Sequence, residues 1–198
     1  MKTLNAFLRE IVSLMITMAV MLLGLKVFYY YVAEPFIVQG HSMDATLQDG
    51  ERLLMMKQNG IERFDVVVFP SPSENVKLYI KRVIGVPGDT IEYKDDQLII
   101  NGKAMTEPYL KEQASTVTGP FTYDFTLEEV AGSSVVPEGK YFVMGDNRRN
   151  SLDGRAFGFI NQKDVMAEAD YIHWPLSEMK ALTQYNLSED GSQIVAEK

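Results

Sequence analysis

The sequence contains no cysteine and only two histidines, His41 and His173, among its 198 residues. Without cysteine the chain cannot have a cysteine nucleophile, a thiolate metal site or a disulfide bond. Two histidines are too few for a three-histidine metal centre, and no HExxH pattern occurs. We therefore expect no thiolate or three-histidine metal site, and the chemistry considered below requires no metal and no organic cofactor.

Positive charge is also scarce, since 19 lysine and arginine residues face 27 aspartate and glutamate residues and give a net charge of −8. A surface of this kind repels phosphate backbones, so nucleic acid is not expected as a partner. Hydrophobic residues make up 46% of the chain, which excludes general disorder and allows one domain with a buried core. The composition does not define an oligomeric state.

The longest apolar run lies near the N-terminus. Residues 11–25 contain no charge, and after Lys26 the run continues to Ala33. A helix over residues 11–33 would be about 34 Å long, enough for a hydrocarbon core of about 30 Å. The run therefore predicts a transmembrane anchor. Lys2 and Arg9 precede it, so we expect residues 1–10 in the cytoplasm and the following domain on the outer face of the cell membrane.

Two alternatives to an anchor are weaker. A cleaved signal peptide ending at Ala33 would place Tyr31 where the cleavage site needs a small side chain. A buried core helix would need helical partners, and no later segment has a pattern typical of one. An uncleaved single-pass anchor is the interpretation that fits the residues best.

Strand patterns dominate the rest of the chain. β-branched and aromatic runs alternate with turn dipeptides such as Asp49-Gly50 and Asn101-Gly102, which is typical of antiparallel hairpins. We expect a mainly β domain over residues 34–184, with antiparallel sheets in a distorted barrel and a β-ribbon insertion at about residues 89–140. Residues 104–134 give no clear pattern, and residues 185–198 look like a polar tail that frays.

Three segments contain residues that could support catalysis. Ser42 follows a short strand and Gly40, so its hydroxyl could lie on an open turn, although a lone serine is more often a helix cap or turn residue. Lys81 and Arg82 are neighbours in a strand, so one of the two cations must face an apolar layer unless the strand is an edge. Burial lowers the pKa of lysine and makes it a competent base.

The third segment is the loop over residues 145–155, GDNRRNSLDGR. It could be an exposed loop without a chemical role. Its arginines lie beside aspartates, however, and bidentate pairs between such groups fix geometry, so we expect an ordered loop.

With these segments in one order, the chain resembles type I signal peptidases, in particular the bacterial kind with a single anchor. The resemblance rests on the anchor and on four motifs: SM-x-x-TL at Ser42, FDVVVF at residues 64–69, YIKRVIGVPGD at residues 79–89, and GDNR-x-x-S-x-D-x-R at residues 145–155. It implies a mainly β catalytic domain related to that of LexA-type proteases. It also implies cleavage of exported preproteins after small residues, with preproteins and the lipid bilayer as partners.

Carried over residue by residue, the resemblance implies that Ser42 is the nucleophile and its backbone N–H part of an oxyanion hole. Lys81 is implied as the general base and Ser151 as the residue that orients its amine. Residues expected to hold the Ser151 loop are Asp146, Asp153 and Arg155. Residues expected near the substrate pockets are Phe36, Val38, Leu47, Tyr79 and Ile80.

Two positions depart from the family pattern. Ala45 stands where proline is usual and Gly154 stands where serine is usual, so we expect somewhat looser turns at both places. Ser151 itself is retained.

Other readings remain open. A non-catalytic anchored relative, acting as an assembly or binding factor, would be expected to lack the serine or the lysine. A self-cleaving repressor-type protease would need a DNA-binding domain and no anchor. His41 is a poor base for Ser42, since adjacent residues of an extended chain point to opposite faces.

Overall fold

The computed structural model describes residues 2–31, 33–56, 60–72 and 77–197. One long helix comes first, fourteen short strands follow, and three further helices are short. The helices are α1 (Lys2–Tyr31), α2 (Lys111–Ala114), α3 (Leu127–Ala131) and α4 (Gly154–Phe157). The strands are β1 (Ala33–Ile37), β2 (Arg52–Met56), β3 (Val66–Pro70), β4 (Leu78–Gly85), β5 (Ile91–Lys94), β6 (Gln97–Ile100), β7 (Lys103–Met105), β8 (Phe125–Thr126), β9 (Lys140–Met144), β10 (Ile160–Asn161), β11 (Ala167–Trp174), β12 (Lys180–Ala181), β13 (Tyr185–Leu187) and β14 (Ile194–Ala196).

Helix α1 carries the apolar run. Its segment Phe7–Phe28 is long and apolar enough to cross a membrane, and none of it is buried against the rest of the protein. The helix begins before the predicted anchor and ends at Tyr31, while Ala33, the predicted last residue of the anchor, lies in β1. The residues before the apolar run extend the helix because good helix formers such as leucine, alanine and arginine predominate there.

The main sheet has eight strands in the order β1-β2-β11-β3-β4-β9-β10, and β12 pairs with β11. Every pairing in it is antiparallel, as predicted from the hairpin patterns. In the described part of the chain the strand order is an open path from β1 to β10. The mainly β, antiparallel architecture with one N-terminal apolar helix is thus confirmed.

A second sheet of four strands, in the order β7-β6-β5-β8, is built from residues within the predicted β-ribbon insertion. Residues 104–134, which gave no clear pattern, contain β8, α2 and α3, and α3 begins with a capping box between Thr126 and Glu129. The second sheet shares its apolar cluster with the main sheet, since Tyr93 and Leu98 pack in the same cluster as Ile84 and Phe142.

The C-terminal residues differ from the fraying tail that we expected. β13 and β14 form an antiparallel hairpin with the pairs Tyr185–Ala196 and Leu187–Ile194. Ile194 is buried in the main apolar cluster, and Tyr185 and Leu187 pack against it. Three apolar side chains on one face hold this hairpin in place although most of its residues are polar.

Candidate active site

Ser42 lies on a turn that begins at Gly40. Gly40 has a φ of 86°, a conformation that favours glycine, and its N–H donates to Asp49 Oδ1 at 2.7 Å. The turn continues with the N–H groups of Thr46 and Leu47, which both donate to the Met43 carbonyl at 2.7 Å. The chain that leaves β1 at Ile37 therefore turns back from Gly40, and the Ser42 hydroxyl meets Lys81 of β4.

The loop after β9 fixes this turn from the other side. The Asn147 N–H donates to the Ser42 carbonyl at 2.9 Å, and the Asn147 side-chain amide donates to the His41 carbonyl at 2.9 Å. Sequence reasoning did not single out Asn147, although it lies inside the 145–155 motif. The backbone at His41 and Ser42 is thus held by two hydrogen bonds from Asn147, and the Ser42 hydroxyl is left to Lys81.

Lys81 lies in the middle of β4, where it pairs with Val67 of β3. Its side chain is only 4% exposed. Its Nζ donates to Ser42 Oγ at 2.7 Å and to the Ile80 carbonyl at 2.9 Å. The two residues assigned to the dyad therefore meet at hydrogen-bond distance, in a site largely closed to water.

Burial changes the chemistry of Lys81. It lowers the pKa of the amine from 10.5 to about 8, because the charged form loses its hydration, while the negative charges of Asp153 and Asp146 oppose the change. A lysine with such a pKa is neutral in a useful fraction of molecules near pH 8. The arrangement can take a proton from an alcohol.

Asp146 links the turn that carries Ser42 to the strand that carries Lys81. Its carboxylate accepts from Arg82 Nε at 3.0 Å and from Arg82 Nη2 at 2.6 Å, and both side chains are fully buried. The Thr46 hydroxyl donates to the same carboxylate, and Arg82 Nη2 also donates to Thr46 Oγ1 at 3.1 Å. The turn after Ser42 is therefore tied to the residue next to Lys81.

Asp153 stabilises the 145–155 loop. It caps α4, accepts from the Gly145 N–H at 2.9 Å and pairs with Arg155 at 2.9 and 2.8 Å. Burial alone would raise the pKa of Asp153, but the hydrogen bonds and charge of Arg155 hold it below its usual value. Asp153 and Arg155 thus contact each other within the loop, and Asp146 lies at its start; their role in holding Ser151 stays a prediction.

Ser151 lies beside the dyad, but its hydroxyl does not contact Lys81. A Cβ added to Gly145 would overlap Ser151 Oγ and would lie 2.6 Å from the Ser42 carbonyl oxygen, so only glycine allows this approach. Within the described residues Ser151 Oγ is buried without a hydrogen-bond partner. Lys81 Nζ donates to Ser42 and Ile80, and no hydrogen bond joins it to Ser151. Its orienting role stays a prediction.

A cleft of about 600 Å³ opens beside the dyad between β1 and the first half of β4. Phe36, Tyr79 and Ile80 line it together with Ser42 and Lys81. It is also lined by exposed apolar side chains that the sequence did not single out: Ile37, Leu78 and Leu152. Their only signal in the sequence is an apolar residue at a strand or loop position that faces away from the core.

Two of the residues expected near the pockets lie elsewhere. Val38 and Leu47 do not line the cleft but are buried in the apolar cluster that includes Met43 and Ile80. Both side chains turn inward because the chain reverses at Gly40 and packs its apolar positions against the main sheet. They support the Ser42 turn from within.

The cleft has two strand edges. In the described part of the chain β1 pairs only with β2, and β4 pairs with β9 only from Arg82 onward. The outer side of β1 and the part of β4 before Arg82 therefore border the cleft. Such edges can accept an extended peptide.

The two departures from the family pattern fit the structure differently. Ala45 is partly buried and packs against the main apolar cluster. A Cβ added to Gly154 would lie 2.7 Å from the Val143 carbonyl oxygen and 2.8 Å from the Phe142 ring, so this position is tightly packed and not loose. Glycine here lets α4 approach β9 closely.

Comparisons with known proteins show the family. The profile described as "Signal peptidase, peptidase S26" matches residues 8–174. The chain belongs to this signal peptidase family. Signal peptidase IB of Staphylococcus aureus (strain MRSA252) is 38% identical over 194 residues, which cover 93% of this chain and 98% of that protein. Signal peptidase I of Bacillus licheniformis is 42% identical over 179 residues, with coverage of 86% and 91%.

A solved structure is also similar. The crystal structure of a signal peptidase I from Enterococcus faecalis V583 shares 47% sequence identity and a TM-score of 0.53, covering 56% of this chain and 97% of that one. As a member of the signal peptidase family, the chain is a serine peptidase. Among the described residues, no group of three or more carboxylate or imidazole side chains is arranged to hold a metal ion.

Proposed function

We propose that this chain is a membrane-anchored endopeptidase that removes signal peptides from exported preproteins after small residues. One observation carries the mechanism: the buried Lys81 Nζ lies 2.7 Å from Ser42 Oγ. A serine hydroxyl is a weak nucleophile until a base takes its proton, and a lysine whose pKa is about 8 supplies that base. A non-catalytic anchored binding factor would have no need of this pair.

The reaction is an acyl transfer in two steps. Ser42 Oγ attacks the carbonyl carbon of the scissile bond while Lys81 Nζ takes its proton, and the backbone N–H of Ser42 stabilises the oxyanion. Lys81 then gives the proton to the leaving amine, which departs as the new N-terminus. Water, deprotonated by the same amine, releases the acyl group and restores Ser42.

The substrate binds as an extended segment between β1 and the first half of β4. The segment adds as a strand beside β1 or the first half of β4 and takes its affinity from main-chain hydrogen bonds. Specificity for small residues arises where the bulky side chains of Phe36, Tyr79 and Ile80 narrow the cleft beside the dyad.

The anchor places this site at the membrane. Helix α1 spans the bilayer with Lys2 and Arg9 on the cytoplasmic side, so the catalytic domain lies outside. Preproteins arrive with their own apolar segment in the same bilayer, which brings the cleavage site to the height of the cleft.

The test uses the full chain in detergent micelles and a preprotein with a small residue at the cleavage position. Wild-type protein is expected to cut after that residue, and both Ser42→Ala and Lys81→Met are expected to reduce the rate by at least about 1,000-fold. Lys94→Met removes an exposed lysine of β5 and is the matched control, expected to cut at the wild-type rate. Cleavage by Lys81→Met at the control rate would falsify the proposed base.

A further inference from the structure

The C-terminal hairpin, β13 and β14, contacts the strand that carries the catalytic lysine. The hairpin lies beyond residue 174, where the match to the family profile ends. Its Tyr185 ring lies 5.7 Å from the centre of the Arg82 guanidinium, within the range of a cation–π contact. Arg82 immediately follows Lys81, so the hairpin is linked to the active site through one residue.

The Arg82 guanidinium is enclosed by aromatic rings. Tyr109 lies 4.1 Å from its central carbon, and the Tyr109 and Tyr185 rings contact each other edge to face at 5.3 Å between centroids. Arg82 Nη1 donates to the Phe64 carbonyl at 2.8 Å. Tyr185 is the member of this enclosure that the hairpin supplies.

The hairpin is itself fastened to the domain. Leu187 and Ile194 pack in the apolar cluster with Tyr109, and Lys103 Nζ donates to the Asp190 carbonyl at 2.8 Å. The Asn186 side-chain amide donates to Glu62 at 2.9 Å. The position of the Tyr185 ring is therefore determined by contacts on both sides of the hairpin.

We propose that Tyr185 is a positioning residue for the proposed peptidase reaction. Its ring holds Arg82 against Asp146, so that Lys81 Nζ and Ser42 Oγ stay within hydrogen-bond distance. This rests on the proposed function. Arg82 is the cation that neutralises Asp146, and Asp146 is also bonded to Thr46 of the Ser42 turn. If the guanidinium shifts, the carboxylate loses its partner and both segments of the dyad lose a common support.

The electrostatic consequence has a definite sign. The negative charges of Asp153 and Asp146 raise the pKa of Lys81 and so oppose the effect of burial. A less neutralised Asp146 raises it further, so less of the amine is neutral at a given pH. Loss of Tyr185 therefore moves the titration of the rate toward alkaline pH, whereas a loss of folded protein lowers the rate equally at every pH.

Other titratable groups near Tyr185 must be controlled. A cavity of about 270 Å³ beside it is lined by acidic side chains: Glu62, Asp65, Glu168, Asp170 and Glu197. Burial, with the nearby charges of Asp65 and Asp170, raises the pKa of Glu168 to about 8, close to that of Lys81. Each variant is therefore also prepared with Glu168→Gln, which removes this titration.

The experiment measures kcat and KM for a preprotein against pH with the full chain in detergent. Tyr185→Met keeps apolar volume and removes the ring, Tyr185→Phe keeps the ring, and Val195→Ala changes an exposed residue of the same hairpin. For Tyr185→Met we expect the pH at which kcat reaches half its maximum to rise by about half a unit or more. At lower pH this corresponds to a roughly threefold loss of kcat. KM stays unchanged because Tyr185 does not line the cleft.

Tyr185→Phe and Val195→Ala are expected to show the same pH dependence of kcat as the wild type. If Tyr185→Met also shows that pH dependence, with or without Glu168→Gln, Tyr185 has no positioning role. If Tyr185→Met does not fold, Tyr185→Leu is measured, and the Lys81 titration is followed by NMR in the Ser42→Ala background. A wild-type chain that cuts no preprotein contradicts the proposed function instead, and the NMR titration still tests whether Tyr185 controls Lys81.

Discussion

Lys81 and Arg82 are neighbours in β4, and their side chains point to opposite faces of the strand. On the cleft face, Lys81 is buried beside a neutral serine hydroxyl, and burial lowers its pKa to about 8. On the other face, burial would also lower the pKa of Arg82, but paired with Asp146 and enclosed by Tyr109 it has a pKa above its usual value.

The two faces show two ways in which a fold accommodates a buried cation. A partner carboxylate keeps the charge and makes the residue part of the scaffold, while a neutral partner favours loss of the proton and makes the residue a base. Strand alternation places a reactive amine directly beside a rigid ion pair, so the support for the base comes from its immediate neighbour in sequence.

The largest expected effect comes from breaking the ion pair. Asp146→Ala leaves the guanidinium of Arg82, only 1% exposed, without its carboxylate, and we expect the free energy of unfolding to fall by about 3–5 kcal/mol. Urea unfolding of the full chain in detergent measures it. Glu138→Ala, which removes an exposed carboxylate, is the control and should change it by less than about 0.5 kcal/mol. Equal effects of the two substitutions would mean that the pair is not structural.

On the cleft face we expect a substitution to raise the free energy of unfolding. Lowering the pKa of Lys81 from 10.5 to about 8 corresponds to a loss of stability on the order of 3 kcal/mol when the amine is charged in both states. Lys81→Met removes this penalty, so at pH 7 the variant should be more stable than wild type by up to that amount, although it is inactive.

The pH dependence of that difference has a fixed sign. Below about pH 8 the amine is protonated in the folded and the unfolded chain, so the penalty is fully present. Between about pH 8 and 10.5 only the unfolded chain keeps the proton, and wild-type stability rises with pH relative to Lys81→Met. Urea unfolding at pH 7 and pH 10 should show the gap closing, and a gap that widens would contradict a buried lysine with a lowered pKa.

The next effect concerns the rate. Because only the neutral amine accepts the serine proton, kcat/KM should rise about tenfold for each pH unit below the pKa of Lys81, which is about 8, and level off above it. Initial rates of preprotein cleavage between pH 6 and 10 check this. If kcat/KM rises around pH 10.5, the ordinary pKa of lysine, the amine is solvated during the reaction.

Ser151 should give the smallest effect on stability. Its hydroxyl has no hydrogen bond of good geometry within the described residues, although it lies near enough to Asp153 to help lower the pKa of that carboxyl. Ser151→Ala should therefore change the free energy of unfolding by less than about 1 kcal/mol. If the hydroxyl turns to the Lys81 amine during catalysis, the same variant lowers kcat about tenfold. Ser134→Ala, in an exposed loop, is the control for both measurements. An unchanged kcat would remove Ser151 from the mechanism.

The sequence predicted the sheets from local patterns, and it predicted Ser42 and Lys81 as a dyad from the resemblance. Strand periodicity and turn dipeptides are local signals, and the motifs around Ser42 and Lys81 stand in a specific order. Reasoning from alternation expected one of Lys81 and Arg82 to face an apolar layer unless the strand was an edge. Both side chains are buried, although β4 pairs with β9 only from Arg82 onward. Which neighbours a strand has is a long-range property that one sequence does not contain.

The other differences have the same origin. The pair between Arg82 and Asp146 joins residues 64 positions apart, and no local pattern specifies such a partner. The hairpin at the C-terminus has strands of three residues, too short for a periodicity to emerge from its polar surroundings. Val38 sits inside and not at the cleft because the reversal at Gly40 changes which side of the chain faces the sheet.

A single residue of sequence separates the end of α1 at Tyr31 from the start of β1 at Ala33, and β1 is one wall of the cleft. Two successive Cα–Cα steps span at most about 7 Å, so this wall of the cleft begins close to the end of the helix. With α1 embedded in the bilayer as proposed, the opening of the cleft lies within a thin layer at the lipid headgroups. Encounters with membrane-bound chains then become a two-dimensional search, and polypeptides far from the bilayer stay out of reach.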